Sequence, residues 1–166
     1  LSTFIIGLAF GTLIVGPLSD SFGRKKILYF GALIYVLFSA VCVLATDLET
    51  MIFARVCQGI GAAAPRIVSQ ALIRDLYSGR EMARISSFVM MIFSIVPALA
   101  PLLGAGMISV FDWRAIFIVF IIFALISTIW TCFRVKEPIT PDRRVPFQLE
   151  VFKLAFLEII SLGIVR

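Results

Sequence analysis

A bundle of membrane-spanning α-helices is the fold class this sequence predicts, and three observations predict it. Apolar residues make up 61% of the 166 residues and charged ones only 15%, whereas soluble domains run nearer about 45–50% and about 25%. The apolar residues come as long continuous runs without the period-two alternation of a membrane β-barrel. Short cation-rich segments separate the runs, the first reading Gly-Pro-Leu-Ser-Asp-Ser-Phe-Gly-Arg-Lys at residues 16–25. The expected class is therefore all-α: a polytopic transmembrane helix bundle.

Residues 1–19 carry no charge and form the first span; residues 27–45 carry none and form the second. At about 1.5 Å per helical residue, each crosses a hydrocarbon layer of roughly 30 Å. Between them, segment 20–26 with Asp20, Arg24, Lys25 and Lys26 is expected as a turn at the membrane surface. The third span, 51–73, is apolar except for Arg55, Gln58, Arg66 and Gln70. The fourth, 85–110, contains Pro97, Pro101, Gly104 and Gly106. Its prolines share one face and remove backbone donors, so a bend or soft point is expected, either a tolerated kink or a hinge and tight interface. The fifth span is 115–133. The loops are short, so neighbouring helices run antiparallel. Residues 134–166 follow as a second unit. Arg134, Lys136, Arg143, Arg144 and three prolines suit an extended linker. Segment 151–165, with Lys153 and Glu158, reads as an interfacial helix or as the start of a further span.

The cations fix an orientation. Segments 20–26, 74–84 and 134–150 hold ten of them, and loops 46–50 and 111–114 hold one, Arg114. The positive-inside bias places the three rich segments in the cytoplasm and residue 1 outside. One further span upstream then makes these five helices two to six. Residue 1 is a Leu within an apolar run, and the sequence stops within another, so a fragment of a larger protein is expected.

Several function classes fall away. The net charge of +5 belongs to membrane-flanking loops, so nucleic acid is not the expected partner. Cys42, Cys57 and Cys132 lie in separate apolar runs and there is no histidine, which leaves neither a disulfide framework nor a metal site. No cofactor is expected. No nucleophile–base pair or phosphate-cradling loop suggests an enzyme, and Gly59-Ile60-Gly61 reads as a helix-packing element rather than part of a dinucleotide site.

The third span carries the chemistry. At about 100° per residue, Arg55, Gln58, Ala62, Arg66, Ser69 and Ile73 share a sector, with Gln70 flanking it. Arginines at mid-membrane are costly against lipid, so this stripe is expected to face protein or a water-filled cavity. The alternative is structural pairing or snorkelling, which suits Arg55 near the outer end better than the more central Arg66. No carboxylate lies inside any of the five spans, so no intramembrane proton carrier is evident.

Several of these stretches resemble the major facilitator superfamily. Gly16, Leu18, Asp20, Gly23, Arg24 and Lys25 match its loop 2–3 motif G-x-L-x-D-x-x-G-R-K. The run from Arg55 through Gln58, Gly59 and Gly61 to Ala63 resembles its helix-four motif R-x-x-Q-G-x-G-A-A. Pro97, Pro101 and Gly104 lie in a stretch similar to the helix-five motif of antiporters. Gly-Pro-Leu-Ser-Asp at 16–20, Ile73-Arg74-Asp75-Leu76-Tyr77 and Asp112-Trp113-Arg114 resemble the bicyclomycin-resistance type of drug:proton antiporter, in which an arginine is usual where Gln70 stands.

The resemblance implies a twelve-helix protein of a bacterial inner membrane, of which this chain is most of the N-terminal half. Its partners would be small-molecule substrates, protons, the bilayer, and the first helix and C-terminal half of the same protein. Asp20 would steady one transport state and Arg55 would contact helix one. The family pattern does not demand Arg66, which is expected from its own position to meet substrate or a counter-charge. The implied function is proton-coupled efflux of small, varied compounds by alternating access. The alternatives are uptake or facilitation of a metabolite such as a sugar or organic acid, and a truncated fragment that transports nothing.

Overall fold

The computed structural model describes residues 2–135, and every regular element in that range is an α-helix. The helices are α1 (Ser2–Phe22), α2 (Arg24–Leu44), α3 (Leu48–Leu76), α4 (Gly79–Val110) and α5 (Arg114–Arg134). The linker and the terminal segment from residue 136 onward lie outside the described residues. A helix covers each of the five expected segments, and the connections are tighter than the sequence suggests. Segment 20–26 is not a loop. Gly23 alone separates α1 from α2, with φ 101°, a left-handed conformation that suits only glycine. Segment 74–84 is likewise mostly helical, because Arg74 closes α3 while Arg80 and Arg84 open α4. The local charge that suggests loops marks helix ends that protrude past the apolar stretch.

Four helices, α1, α2, α4 and α5, are long and apolar enough to cross a membrane. Though long enough, α3 is diluted by its polar stripe. It is nevertheless the centre of the packed part, wedged between α1 and α2. The wedge is made of glycines. Gly7 and Gly11 of α1 lie against Val56, Ile60 and Ala63 of α3, and Gly59 lies against Phe4 and Leu8 of α1. On the other flank Gly61 meets Gly31 and Tyr35 of α2, and Gly31 meets Ala64. The expected packing role of Gly59 and Gly61 is thus realised with a division of labour, one glycine per neighbouring helix. Removing Cβ lets the backbones approach so closely that dispersion replaces the hydrophobic effect, which lipid does not supply.

Two small cores flank this wedge. Val15, Ile27, Leu28, Ala63, Ala64 and Val68 pack beneath the Gly23 junction. Cys42, Ala54 and Phe117 join α2, α3 and α5 towards the other end. The chain reversals alternate between the ends. The Gly23 junction, the α3–α4 connection and the end of α5 share one end, where Lys25 Nζ donates to the Cys132 carbonyl at 3.3 Å. At the opposite end Arg114 Nε donates to the Val43 carbonyl at 3.1 Å. All three cation-rich segments therefore start from one face of the bundle. Helix α4 runs unbroken through Pro97 and Pro101 and buries none of its residues.

Candidate functional site

The first cluster forms because Gly23 turns the chain within one residue. Arg24, the first residue of α2, is thereby folded back against the end of α1 and is buried. Its guanidinium donates to Ser19 Oγ at 2.7 Å and pairs with Asp20 one turn earlier. Its Nε donates to Asp75 Oδ2 at 3.0 Å, at the end of α3. Ser19 completes the cluster by donating to the Gly16 carbonyl at 2.8 Å. One cation thus ties the α1–α2 junction to α3. Arg24 is shared between two carboxylates, and its planar fork supplies donors in the directions both need. Removing it would leave two acids facing a partly buried site, a change typically costing about 3–5 kcal/mol when the charge is fully buried.

Other members of the same motif do different work. Leu18 packs on the core beneath the junction. Lys25 stands over the Tyr29 ring at 5.7 Å as well as capping α5. Gly16 is an ordinary helical residue with nothing within 4 Å of the position a Cβ would take. Asp75 was not among the expected site residues. It lies 51 positions from Arg24, so no local pattern links the two.

A second cluster is centred on Arg55. Its Nη1 donates to Gln58 Oε1 at 2.9 Å, Gln58 Nε2 donates to Ser39 Oγ at 2.6 Å, and the Ser39 hydroxyl donates to the Tyr35 carbonyl at 2.6 Å. Gln58 and Ser39 are completely buried. Every donor in this chain points the same way, which satisfies the buried amide. The Arg55 guanidinium sits over two rings, Phe4 of α1 at 5.4 Å and Phe117 of α5 at 5.2 Å. It therefore bridges α1, α3 and α5, and reaches α2 through Gln58. Ser39 and Phe117 escaped the sequence reading because each is an unremarkable residue in an apolar run.

The structure separates the other expected members of the stripe from this cluster. Arg66 lies eleven residues beyond Arg55, about 16 Å along the helix. It is exposed, as are Ser69 and Gln70. Among the described residues Arg66 has no hydrogen-bond or ion-pair partner, whereas Gln58 is packed against α2. Val56, Ile60 and Ala63 meet α1, and Gly61 and Ala64 meet α2. What remains of the circumference is the arc holding Ala62, Arg66, Ser69 and Ile73; Arg66 and Ser69 are exposed on it and Ala62 and Ile73 are half-buried. Pro97 and Pro101 are exposed on α4, and Gly104 has no neighbour within 4 Å of a Cβ position. Among the described residues the tight interface expected at that glycine is not made. No cluster of potential metal ligands occurs among them either.

Comparison with known proteins accounts for this architecture. The sequence profile of the Major Facilitator Superfamily matches residues 1–164. A bicyclomycin resistance protein homolog from Haemophilus influenzae is 33% identical over 157 residues, covering 95% of this chain and 39% of the relative. The multidrug resistance protein MdtL of Vibrio parahaemolyticus is 31% identical over 172 residues, 98% of this chain and 43% of the relative. A chloramphenicol resistance protein of Pseudomonas aeruginosa is 37% identical over 118 residues, 70% of this chain and 28% of the relative. The chain thus spans less than half the length of these proteins. The glycine-packed helices, the Arg24 junction and the match along nearly all 166 residues have one explanation: this chain belongs to the major facilitator superfamily, an integral multi-pass membrane family of transporters rather than enzymes.

Proposed function

We propose that the protein exports small, chemically varied compounds from bacteria across the inner membrane by proton-coupled alternating access. The observation that carries the transport reading is the two-sided build of α3. One side is held against α1 and α2 by glycines, and the other exposes Arg66, Ser69 and Gln70 in the second half of a 29-residue helix, with Arg66 ten residues before its end. An arginine there is costly against lipid and tolerable against a water-filled pathway. The names of the relatives, resistance to bicyclomycin, chloramphenicol and multiple drugs, favour efflux over uptake.

Alternating access needs a second half rocking against this one about a midplane site. The Arg24 junction suits the role of a latch between the halves, since Asp20 remains half-exposed beside it. Every carboxylate among the described residues lies at a helix end or in a loop, and the chain contains no histidine. A coupling proton site at membrane depth is therefore contributed by a part of the protein beyond residues 2–135.

The test is drug flux in inverted membrane vesicles holding the full-length protein, with and without an uncoupler. Accumulation of chloramphenicol that collapses with the proton gradient is expected. Flux indifferent to the gradient would refute coupling, and no flux across a broad compound panel would refute efflux.

A further inference from the structure

Resting on the transport reading above, we infer that the open face of α3 selects uncharged or anionic molecules that present paired hydrogen-bond acceptors, such as carboxylate, amide or nitro oxygens, and disfavours organic cations. The face is a surface of donors. Arg66 offers a planar fork of N–H groups and has no hydrogen-bond or ion-pair partner among the described residues. Gln70 follows one turn later with an amide. The Ser69 hydroxyl is already committed to the Pro65 carbonyl. The other polar groups of the stripe are spent elsewhere: Arg55 on Gln58 and two rings, and Gln58 on Ser39.

Charge gives the selection its sign. Between the helix ends, the described residues contain two arginines and no carboxylate. A bound anion would be favoured and a bound cation opposed. For unit charges about 6 Å apart under an effective dielectric of about 20, the effect is on the order of 100-fold either way. A planar acceptor pair gains further from the fork, which a point-charge donor does not match. Among the described residues this wall is basic and offers an organic cation no carboxylate.

The experiment uses the purified full-length protein in detergent. Equilibrium binding of chloramphenicol, which is neutral and bears amide and nitro oxygens, is compared with that of tetraphenylphosphonium, alongside vesicle flux. Wild-type protein is expected to bind chloramphenicol at least tenfold more tightly. Arg66→Gln should lose about tenfold for chloramphenicol, Arg66→Lys should recover only part of that, and Arg66→Glu should gain about tenfold for tetraphenylphosphonium.

Equal or tighter binding of tetraphenylphosphonium by the wild type would overturn the inference, as would happen if a carboxylate from elsewhere in the protein paired with Arg66. Chloramphenicol binding indifferent to Arg66→Gln, or no binding of either probe, would overturn it too. The expected binding pattern without vesicle flux would uphold this selectivity and sink the efflux reading. Gradient-driven flux unaffected by all Arg66 variants would do the reverse.

Discussion

Gly61→Ala should loosen the transporter's scaffold without touching a charged group. A Cβ at this position would stand 2.6 Å from the Tyr35 backbone nitrogen and 2.8 Å from the Gly31 carbonyl oxygen. Both neighbours are backbone atoms of α2, so no side chain can swing aside. Restoring ordinary contact at about 3.4 Å requires α2 and α3 to part by about 0.8 Å. A gap of that size forfeits about a quarter to a half of each dispersion contact across the interface. Overpacking of this kind typically costs about 1–3 kcal/mol, against which alanine's better helix propensity returns at most about 1 kcal/mol. The net expectation is a loss of about 1–2 kcal/mol. The assay is thermal unfolding of the detergent-solubilised full-length protein, with Gly16→Ala as the internal control, because a Cβ at Gly16 meets nothing within 4 Å. A lower midpoint for Gly61→Ala and an unchanged or higher one for Gly16→Ala are expected. Equal midpoints for the two would refute the claim that glycine contacts hold α3 in place.

Four further outcomes are expected. Arg24→Ala should reduce the folded yield and Arg24→Lys should restore it only partly, because Lys lacks the fork that reaches both Asp20 and Asp75; Asp20→Asn, at the half-exposed partner, should impair transport at near-normal yield, and unimpaired transport would reduce Asp20 to a structural role. A double-mutant cycle between Arg55→Met and Phe117→Leu should return a coupling of about 0.5–2 kcal/mol, whereas strict additivity would dissolve the cation–π contact seen at 5.2 Å. In an otherwise cysteine-free protein, single cysteines at Ser21 and Ser78 should resist an impermeant thiol reagent in intact cells while one at Thr46 reacts; the converse labelling would invert the orientation. Asp47 caps α3 by accepting the Thr50 N–H at 2.8 Å, and hydrogen bonding to Thr50 holds its carboxyl below the usual range. A lowered folded value means the stabilisation is complete above the ordinary carboxylate range and is lost as pH falls through the folded value. Protection of the Thr50 amide should therefore weaken on acidification in the wild type and stay flat in Asp47→Asn.

What the sequence disclosed follows from periodicity, and what it withheld follows from distance. The five helices were legible because lipid demands long apolar runs. The packing role of Gly59 and Gly61 was legible because small residues in such runs have few other uses. Helix ends were less so. Charges at 20–26 and 74–84 suggested loops, yet a chain leaving the bilayer continues as helix for as long as its backbone bonds are unopposed. The Arg24–Asp75 tie joins residues on different helices, and the Arg55 cluster recruits Phe4, Ser39 and Phe117 from three others. Neither set shares a spacing that a single sequence displays. By helical angle alone Arg55, Gln58, Arg66 and Gln70 of α3 lie close together. Packing then divided them, because α2 approaches closely enough to bury Gln58 while leaving Arg66 and Gln70 uncovered.

That division bears on how the protein moves. Within α3 the glycine contacts and the Arg55–Gln58–Ser39 chain fasten one side of the helix to its neighbours through groups that are already satisfied. Satisfied contacts resist rearrangement, since breaking any one of them leaves a buried donor or acceptor unpaired. The groups still able to exchange partners lie elsewhere: Arg66 and Gln70 on the open face, half-exposed Asp20 at the junction, and α4, which buries no residue. On the alternating-access reading proposed above, a change between two transport states would carry α1, α2 and α3 together and repack at those margins. Loss of transport from a substitution within the wedge should accordingly travel with loss of stability, while substitutions at the margins should separate the two.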